Sequence, residues 1–135
     1  MTDKKELFLI VDDEPDMCWA LAHILKENGF ASKMALSGNE ALTLVKQHRF
    51  KAVFLDAKLP DIEGLDLARR IHKINPTLPL VMISGYFYRN DGDVQQFLRE
   101  GLISGFVAKP FFNDEIVKTV KDICKAPAGR EGQGG

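Results

Sequence analysis

The sequence predicts an α/β domain: a doubly wound parallel sheet of five strands with helices on both faces. Three observations predict it. Five short strand-like stretches alternate with five segments of helical patterning, and the first, Leu7 to Val11, is a continuous apolar run, as in a strand buried on both faces. Four of the stretches stop on a polar or charged side chain. Strict alternation matters because adjacent parallel strands need a crossover connection, and that crossover is right-handed.

The elements follow in order. Leu7 to Val11 is the first run and ends at Asp12 and Asp13. Pro15 suits the first turn of the helix that follows, with Met17, Leu21, Ile24 and Leu25 on one face and Asn28 and Gly29 closing it. Lys33 to Leu36 is a short second strand, and Ser37 with Glu40 forms a capping box for a helix through Val45. Ala52 to Leu55 is the third buried strand, ending at Asp56. After a turn containing Pro60 and Gly64, the residues Leu67, Ala68, Ile71 and Ile74 mark a helix face that Asn75 and Pro76 terminate. Leu78 to Ile83 is the fourth strand, ending at Ser84 and Gly85, and Val94, Phe97 and Leu98 mark a helix that ends near Gly101. Ile103 to Ala108 is the fifth strand, ending at Lys109 and Pro110. Asn113 then caps a helix with Ile116, Val117, Val120 and Ile123 inward. Ala126 to Gly135 is rich in glycine and has almost nothing to bury, so it reads as a flexible tail, a linker remnant or a cloning scar, leaving a domain of residues 5–125.

Composition narrows the function classes. At 135 residues the chain is about one domain long. Its 18 basic and 19 acidic residues nearly cancel, so no overall field draws it to nucleic acid or to an anionic membrane, and neither is expected as a direct partner. The apolar runs fall far short of the roughly 20 residues that cross a bilayer, and Met1 to Glu6 lacks a signal-peptide apolar region. Cys18 and Cys124 have no zinc-ligand spacing and read as free thiols of a reducing cytoplasm.

In sheets of this kind ligands bind outside the carboxyl ends of the strands, where the strand order reverses. Four strand ends deliver Asp12 with Asp13, Asp56, Ser84 and Lys109 to one edge. Three carboxylates brought together raise one another's pKa unless a cation neutralises them. Mg²⁺ is the natural candidate, since it takes hard oxygen ligands and binds through one or two carboxylates plus phosphate oxygens. Asp56 ends the central strand and is the best nucleophile of the three, because a carboxylate can form an aspartyl phosphate. Lys109 brings a second positive charge to the phosphoryl oxygens. Ser84 can donate its hydroxyl to one of those oxygens, moving the chain around Gly85.

These residues in this order resemble the receiver domain of the bacterial two-component response regulators, over nearly all of Leu7 to Lys125. The likeness is carried by Asp12 and Asp13 after the first strand, by Asp56 with Leu59, Pro60 and Gly64, by Ser84 and Gly85, and by Phe106, Lys109, Pro110 and Phe111. It implies the flavodoxin-like strand order 2-1-3-4-5. It also implies that Asp56 accepts a phosphoryl group from the phosphohistidine of a sensor histidine kinase or phosphotransfer protein. Asp12, Asp13, Asp56 and the backbone carbonyl of Lys58 would hold Mg²⁺, and Lys109 would pair with the phosphate. Phe106 would turn inward as Ser84 moves, reporting to the surface of the fourth helix, fifth strand and fifth helix. A cis peptide bond before Pro110 would aim Lys109. The resemblance further implies a cytoplasmic signalling domain, not an enzyme in the ordinary sense, with weak self-phosphorylation and slow self-dephosphorylation. It would act on a downstream protein that the sequence does not name, as a monomer or a phosphorylation-dependent dimer.

Two departures stand out. Ser84 occupies a position where the family most often has threonine, although the hydroxyl is what the chemistry requires. The stretch from Tyr86 to Gly101 is a few residues longer than usual and opens on Tyr86, Phe87 and Tyr88, which either pack on the neighbouring helix or face a partner. Several readings of the whole stay open: a stand-alone receiver, a module of a larger DNA-binding regulator or hybrid histidine kinase, and a degenerate receiver that only scaffolds. A nucleotide or flavin site is disfavoured, because no glycine-rich phosphate loop follows the first strand. Of the remaining residues, Lys58 either reaches the pocket mouth or stays solvated. His23, His48 and His72 sit on helices away from the strand ends, and Trp19 rides on the first helix as a fluorescence reporter. Asp61 and Glu63 read as helix-start acids favoured by the macrodipole.

Overall fold

Apolar strands that must be covered on both sides settle in the middle of a sheet. In the computed structural model, which describes residues 6–85, 92–111 and 113–125, the middle strands are β1 (Leu7–Val11), β3 (Ala52–Asp56) and β4 (Leu80–Ser84). The edges are β2 (Ala31–Ala35) and β5 (Gly105–Ala108), and the order β2-β1-β3-β4-β5 is parallel throughout. The crossovers are α1 (Pro15–Glu27), α2 (Gly38–Gln47), α3 (Gly64–Ile74) and α4 (Gly92–Arg99), and α5 (Asn113–Lys125) follows β5. No described helix is long and apolar enough to cross a membrane.

Because side chains alternate along a strand, each strand feeds two apolar layers. Leu9, Val11, Val53, Leu55 and Met82 pack with Leu67, Ile71 and Phe97 of α3 and α4. Phe8, Ile10, Phe54 and Ile83 pack with Leu21, Leu25, Ile116 and Val120 of α1 and α5. In that second layer Phe8 stacks on Phe54 at 6.1 Å and meets Phe30 edge-on at 5.2 Å.

Several boundaries differ from the sequence expectation, each for a local reason. β2 runs over Ala31–Ala35 and not from Lys33 to Leu36, because its register against β1 pairs Leu7 with Ala31 and Val11 with Ala35. Leu36 is left outside the ladder, and its N–H donates to Glu40 Oε1 at 2.9 Å. Leu78 is buried but precedes β4, since its N–H turns back to the Asn75 carbonyl at 3.2 Å. Ile103, also buried, anchors the end of α4 through the Phe97 carbonyl at 3.3 Å, and β5 starts at Gly105. On α1 the buried stripe begins at Cys18 instead of Met17. Ile74, expected inward, closes α3 and is 38% exposed. Asn113, expected at the cap, is the first residue inside α5. Gly101 has the positive φ of a helix-ending glycine, at 77°, as does Gly29 at 88°. The readings of Tyr86, Phe87 and Tyr88 and of the tail after Lys125 lie outside the described residues.

Candidate functional site

Parallel strands that begin together also end together, so the register places the predicted residues along one edge. Val11 pairs with Leu55, Asp56 with Ile83, and Ser84 with Ala108. The next residues out from these strands are Asp12, Asp13 and Lys109, and backbone bonds hold them there. Asp12 N–H donates to the Ala35 carbonyl at 3.1 Å, and Lys109 N–H donates to the Ser84 carbonyl at 2.9 Å. The Lys109–Pro110 peptide bond is cis.

One carboxylate oxygen from each of Asp12, Asp13 and Asp56 lies within 4.8 Å of the others. Asp12 is buried, Asp56 is 9% exposed and Asp13 faces solvent. The Lys109 Nζ sits 3.1 Å from Asp12 Oδ2 and 3.2 Å from Asp56 Oδ1, with Glu14 Oε1 farther off at 3.9 Å. Asp12 Oδ1 accepts the Glu14 N–H at 2.9 Å, which fixes the plane of its carboxylate at the start of α1.

The electrostatics of this edge are unbalanced. Burial and then the Asp12 charge push the Asp56 carboxyl above the ordinary range, and the nearby Lys109 offsets only part of that rise. Burial works against the charged form of Lys109, but the Asp12 and Asp56 carboxylates outweigh it and hold the ammonium protonated beyond its usual range. Lys109 pairs with two of the three clustered carboxylates, and the oxygen donor set suits a hard divalent cation. Cys18 stands behind the edge, its Sγ donating to the Asp12 carbonyl at 3.3 Å. Burial and the Asp12 charge push its thiol up to about 11, so it packs as a neutral group.

Of the other residues singled out in the sequence, Gly64 lies against the strand end. Gly64 must lack a side chain, because a Cβ there would lie 2.5 Å from the Asp56 carbonyl oxygen and 2.6 Å from Ala57 Cα. Only glycine lets α3 start against the backbone of the strand end. The Gly64 N–H donates to the Ala57 carbonyl at 2.8 Å and closes the loop, on which Pro60 and the Lys58 side chain are exposed. Gly85 is different, since a Cβ would meet only Lys109 Cβ, at an ordinary 3.8 Å. Ser84 is wholly buried at the end of β4, and Phe106 is buried in the layer beneath α4. His23 pairs with Glu27 at 3.2 Å, His48 caps the end of α2, and His72 lies in the last turn of α3, all away from the edge. Trp19 is 64% exposed and stacked on His23 at 5.2 Å.

Two polar residues were not read correctly from sequence. Glu14 was not singled out, although it directly follows the acidic pair that Lys109 reaches. Asp61 was expected to serve the helix it precedes. Instead it accepts the N–H groups of Gly38 at 2.8 Å and Asn39 at 2.9 Å, at the start of α2, and these bonds hold its carboxyl below the ordinary range. Its partners lie 22 and 23 residues back in the chain, where no local pattern signals them.

Fold and site together define a flavodoxin-like α/β domain whose switch-point edge carries an acidic cluster capped by a lysine. The response regulator receiver domain family model matches residues 8–121, and the chain belongs to that family, a domain of two-component signalling. It is 35% identical over 111 residues to the nitrogen assimilation regulatory protein NtrX of Azorhizobium caulinodans, a match covering 81% of this chain and 24% of the relative. The chain therefore spans about a quarter of the length of the NtrX-type relatives it matches. Among solved structures, the response regulator TrrA of Thermotoga maritima in complex with Mg(2+)-BeF is 28% identical with a TM-score of 0.77, covering 87% of this chain and 98% of that one. A CheY-like receiver domain of Methanospirillum hungatei shares the fold, with a TM-score of 0.82 at 24% identity over 90% of this chain and 96% of that one.

Proposed function

We propose that the domain, residues 5–125, is a phosphorylation-operated switch in which Asp56 accepts a phosphoryl group from the phosphohistidine of a sensor histidine kinase or phosphotransfer protein. The observation that carries this reading is the position of the Lys109 Nζ, 3.1 Å from Asp12 and 3.2 Å from Asp56, beside a cluster of three carboxylates. Asp12, Asp13, Asp56 and the backbone carbonyl of Lys58 would hold Mg²⁺; the grouping of the three carboxylates supports this, and the Thermotoga relative was solved with Mg(2+)-BeF. When bound, the ion neutralises the acidic edge and draws charge from phosphoryl oxygens.

The chain's own residues then do the following. An oxygen of the Asp56 carboxylate attacks phosphorus, the phosphorus–nitrogen bond of the donor breaks, and the electron pair leaves with the imidazole. Lys109, its Nζ 3.2 Å from Asp56 Oδ1, meets the charge on the phosphoryl oxygens. Ser84 donates its hydroxyl to one of those oxygens, and Phe106, already buried beneath α4, repacks as it moves, changing the surface of α4, β5 and α5 that a downstream protein reads. Attack of water on the acyl phosphate resets the domain slowly. Supporting positions are Pro60, Gly64, Gly85 and Pro110, with residues 126–135 a linker or tail and the cytoplasm the compartment. The length of the NtrX-type relatives favours a second reading of the whole, a receiver module of a longer regulator, which the gene's reading frame decides.

The test is uptake of one phosphoryl group from acetyl phosphate in MgCl₂, read by intact mass. The unmodified chain is expected to gain it and Asp56→Asn to gain none. Equal uptake by the Asn variant would falsify the assignment.

A further inference from the structure

The loop between β3 and α3, residues 57–63, is tied at two places. Its base is closed by the Gly64 N–H on the Ala57 carbonyl at 2.8 Å, and by the Ala57 N–H on the Ile83 carbonyl at 3.2 Å. Its tip is held from a different part of the chain. Asp61 Oδ1 accepts the Gly38 N–H at 2.8 Å and Oδ2 accepts the Asn39 N–H at 2.9 Å. Ile62, beside it, fills the space over Gly38, where a Cβ would collide with the isoleucine side chain.

The start of α2 is arranged to receive that carboxylate. A helix opens with N–H groups that have no partner within the helix. Here Ser37 Oγ takes the Glu40 N–H at 3.2 Å and the Ser37 carbonyl takes the Ala41 N–H at 3.1 Å. The two remaining donors, Gly38 and Asn39, both go to Asp61. A carboxylate accepting two backbone N–H bonds at a helix N-terminus makes charge-assisted bonds that also gain from the macrodipole. Lys58 lies between the two anchors, two positions after Asp56.

We propose that Asp61 is a positioning residue for the phosphoacceptor edge: by clamping the loop tip to α2 it holds the Lys58 backbone where a bound cation needs it, without touching the reacting groups. This rests on the reading of the edge given above. The clamp makes α2 and the acidic edge parts of one rigid arrangement, although they are joined in sequence only through β3.

The experiment compares the unmodified chain with Asp61→Ala, Asp61→Asn and Ser37→Ala by NMR, first without metal and then titrated with MgCl₂. In the metal-free Asp61 variants the Gly64 amide is expected to exchange with solvent at least about fivefold faster, while amides of β1 keep their protection. The apparent Mg²⁺ dissociation constant is expected to rise about three- to tenfold, less than the roughly 10–100-fold cost of losing a group bonded directly to a metal ligand. Ser37→Ala loosens the same helix start from the other side and is expected to leave the Mg²⁺ constant within about twofold. An unchanged Mg²⁺ constant in both Asp61 variants overturns the proposal, and so does an equal rise in Ser37→Ala, which would trace the effect to α2 stability. Absence of Mg²⁺ binding by the unmodified chain overturns the phosphoacceptor reading itself, a failure told apart because it appears before any substitution is made.

Discussion

The two junctions that carry the acids are held by different forces. Between β1 and α1 the chain turns within residues 12–14, and to the backbone bonds of Asp12 and Glu14 it adds charge: Lys109 reaches in from the end of β5 to Asp12, with Glu14 farther out. Between β3 and α3 the connection is longer, and what steadies it is shape and backbone hydrogen bonding. Gly64 presses against the Asp56 and Ala57 backbone, and Asp61 is docked on α2. A charge-held turn can absorb a change of charge by letting ions and water in, whereas a shape-held loop has no such reserve. The phosphoacceptor thus sits on the rigid side, and the groups that answer its charge sit on the yielding side.

The most severe test of that contrast is Gly64→Ala. Its Cβ meets backbone, which cannot swing aside, so a loss of about 3 kcal/mol in unfolding free energy is expected from urea denaturation. A loss under about 1 kcal/mol would show that the β3–α3 loop yields after all. Lys109→Ala strikes the charge-held side. It leaves Asp12 and Asp56 facing one another across a partly buried gap, and a loss of about 1–2 kcal/mol at neutral pH is expected, smaller than for a fully buried pair. Millimolar MgCl₂ should restore part of this loss in a thermal melt, and no restoration would mean that charge is not what holds the turn.

Asp61→Asn sharpens the comparison through pH. The folded-state pKa of Asp61 is depressed, so the stability it adds is present above its unfolded value and is lost as pH falls through the folded one. The melting-temperature gap between unmodified and variant chains should be full at neutral pH and close below about pH 4. A gap independent of pH would assign the effect to size instead of charge. Gly85→Ala should do least, within about 0.5 kcal/mol, because its Cβ meets Lys109 Cβ at an ordinary van der Waals contact.

The meeting of Asp12, Asp13, Asp56 and Lys109 was legible because each lies at or within two residues of the end of an apolar strand, and parallel strands deliver their ends to one place. The place of Ser84 at the end of β4 was legible in the same way. β2 was legible only in part: as an edge strand it is half-covered, so Ala31 and Ser32 carry no apolar signal and only pairing with β1 reveals them. Ile103 and Leu78 misled in the opposite direction, being buried without belonging to a ladder, since apolar character reports burial and not hydrogen bonding. Asp61 was placed in the right chemical role beside the wrong helix. Its true partner follows from α2 and α3 lying side by side, a fact of packing that emerges only once the sheet order is known.

β3 is covered at all of its positions, with side chains locked into both apolar layers. Sliding it by even a fraction of a residue would tear open voids above and below at once, each costing as much as a truncated core side chain. The strand bearing Asp56 therefore serves as a fixed anvil: whatever is attached to its tip must do its mechanical work on neighbours at the rim, leaving the central post unmoved.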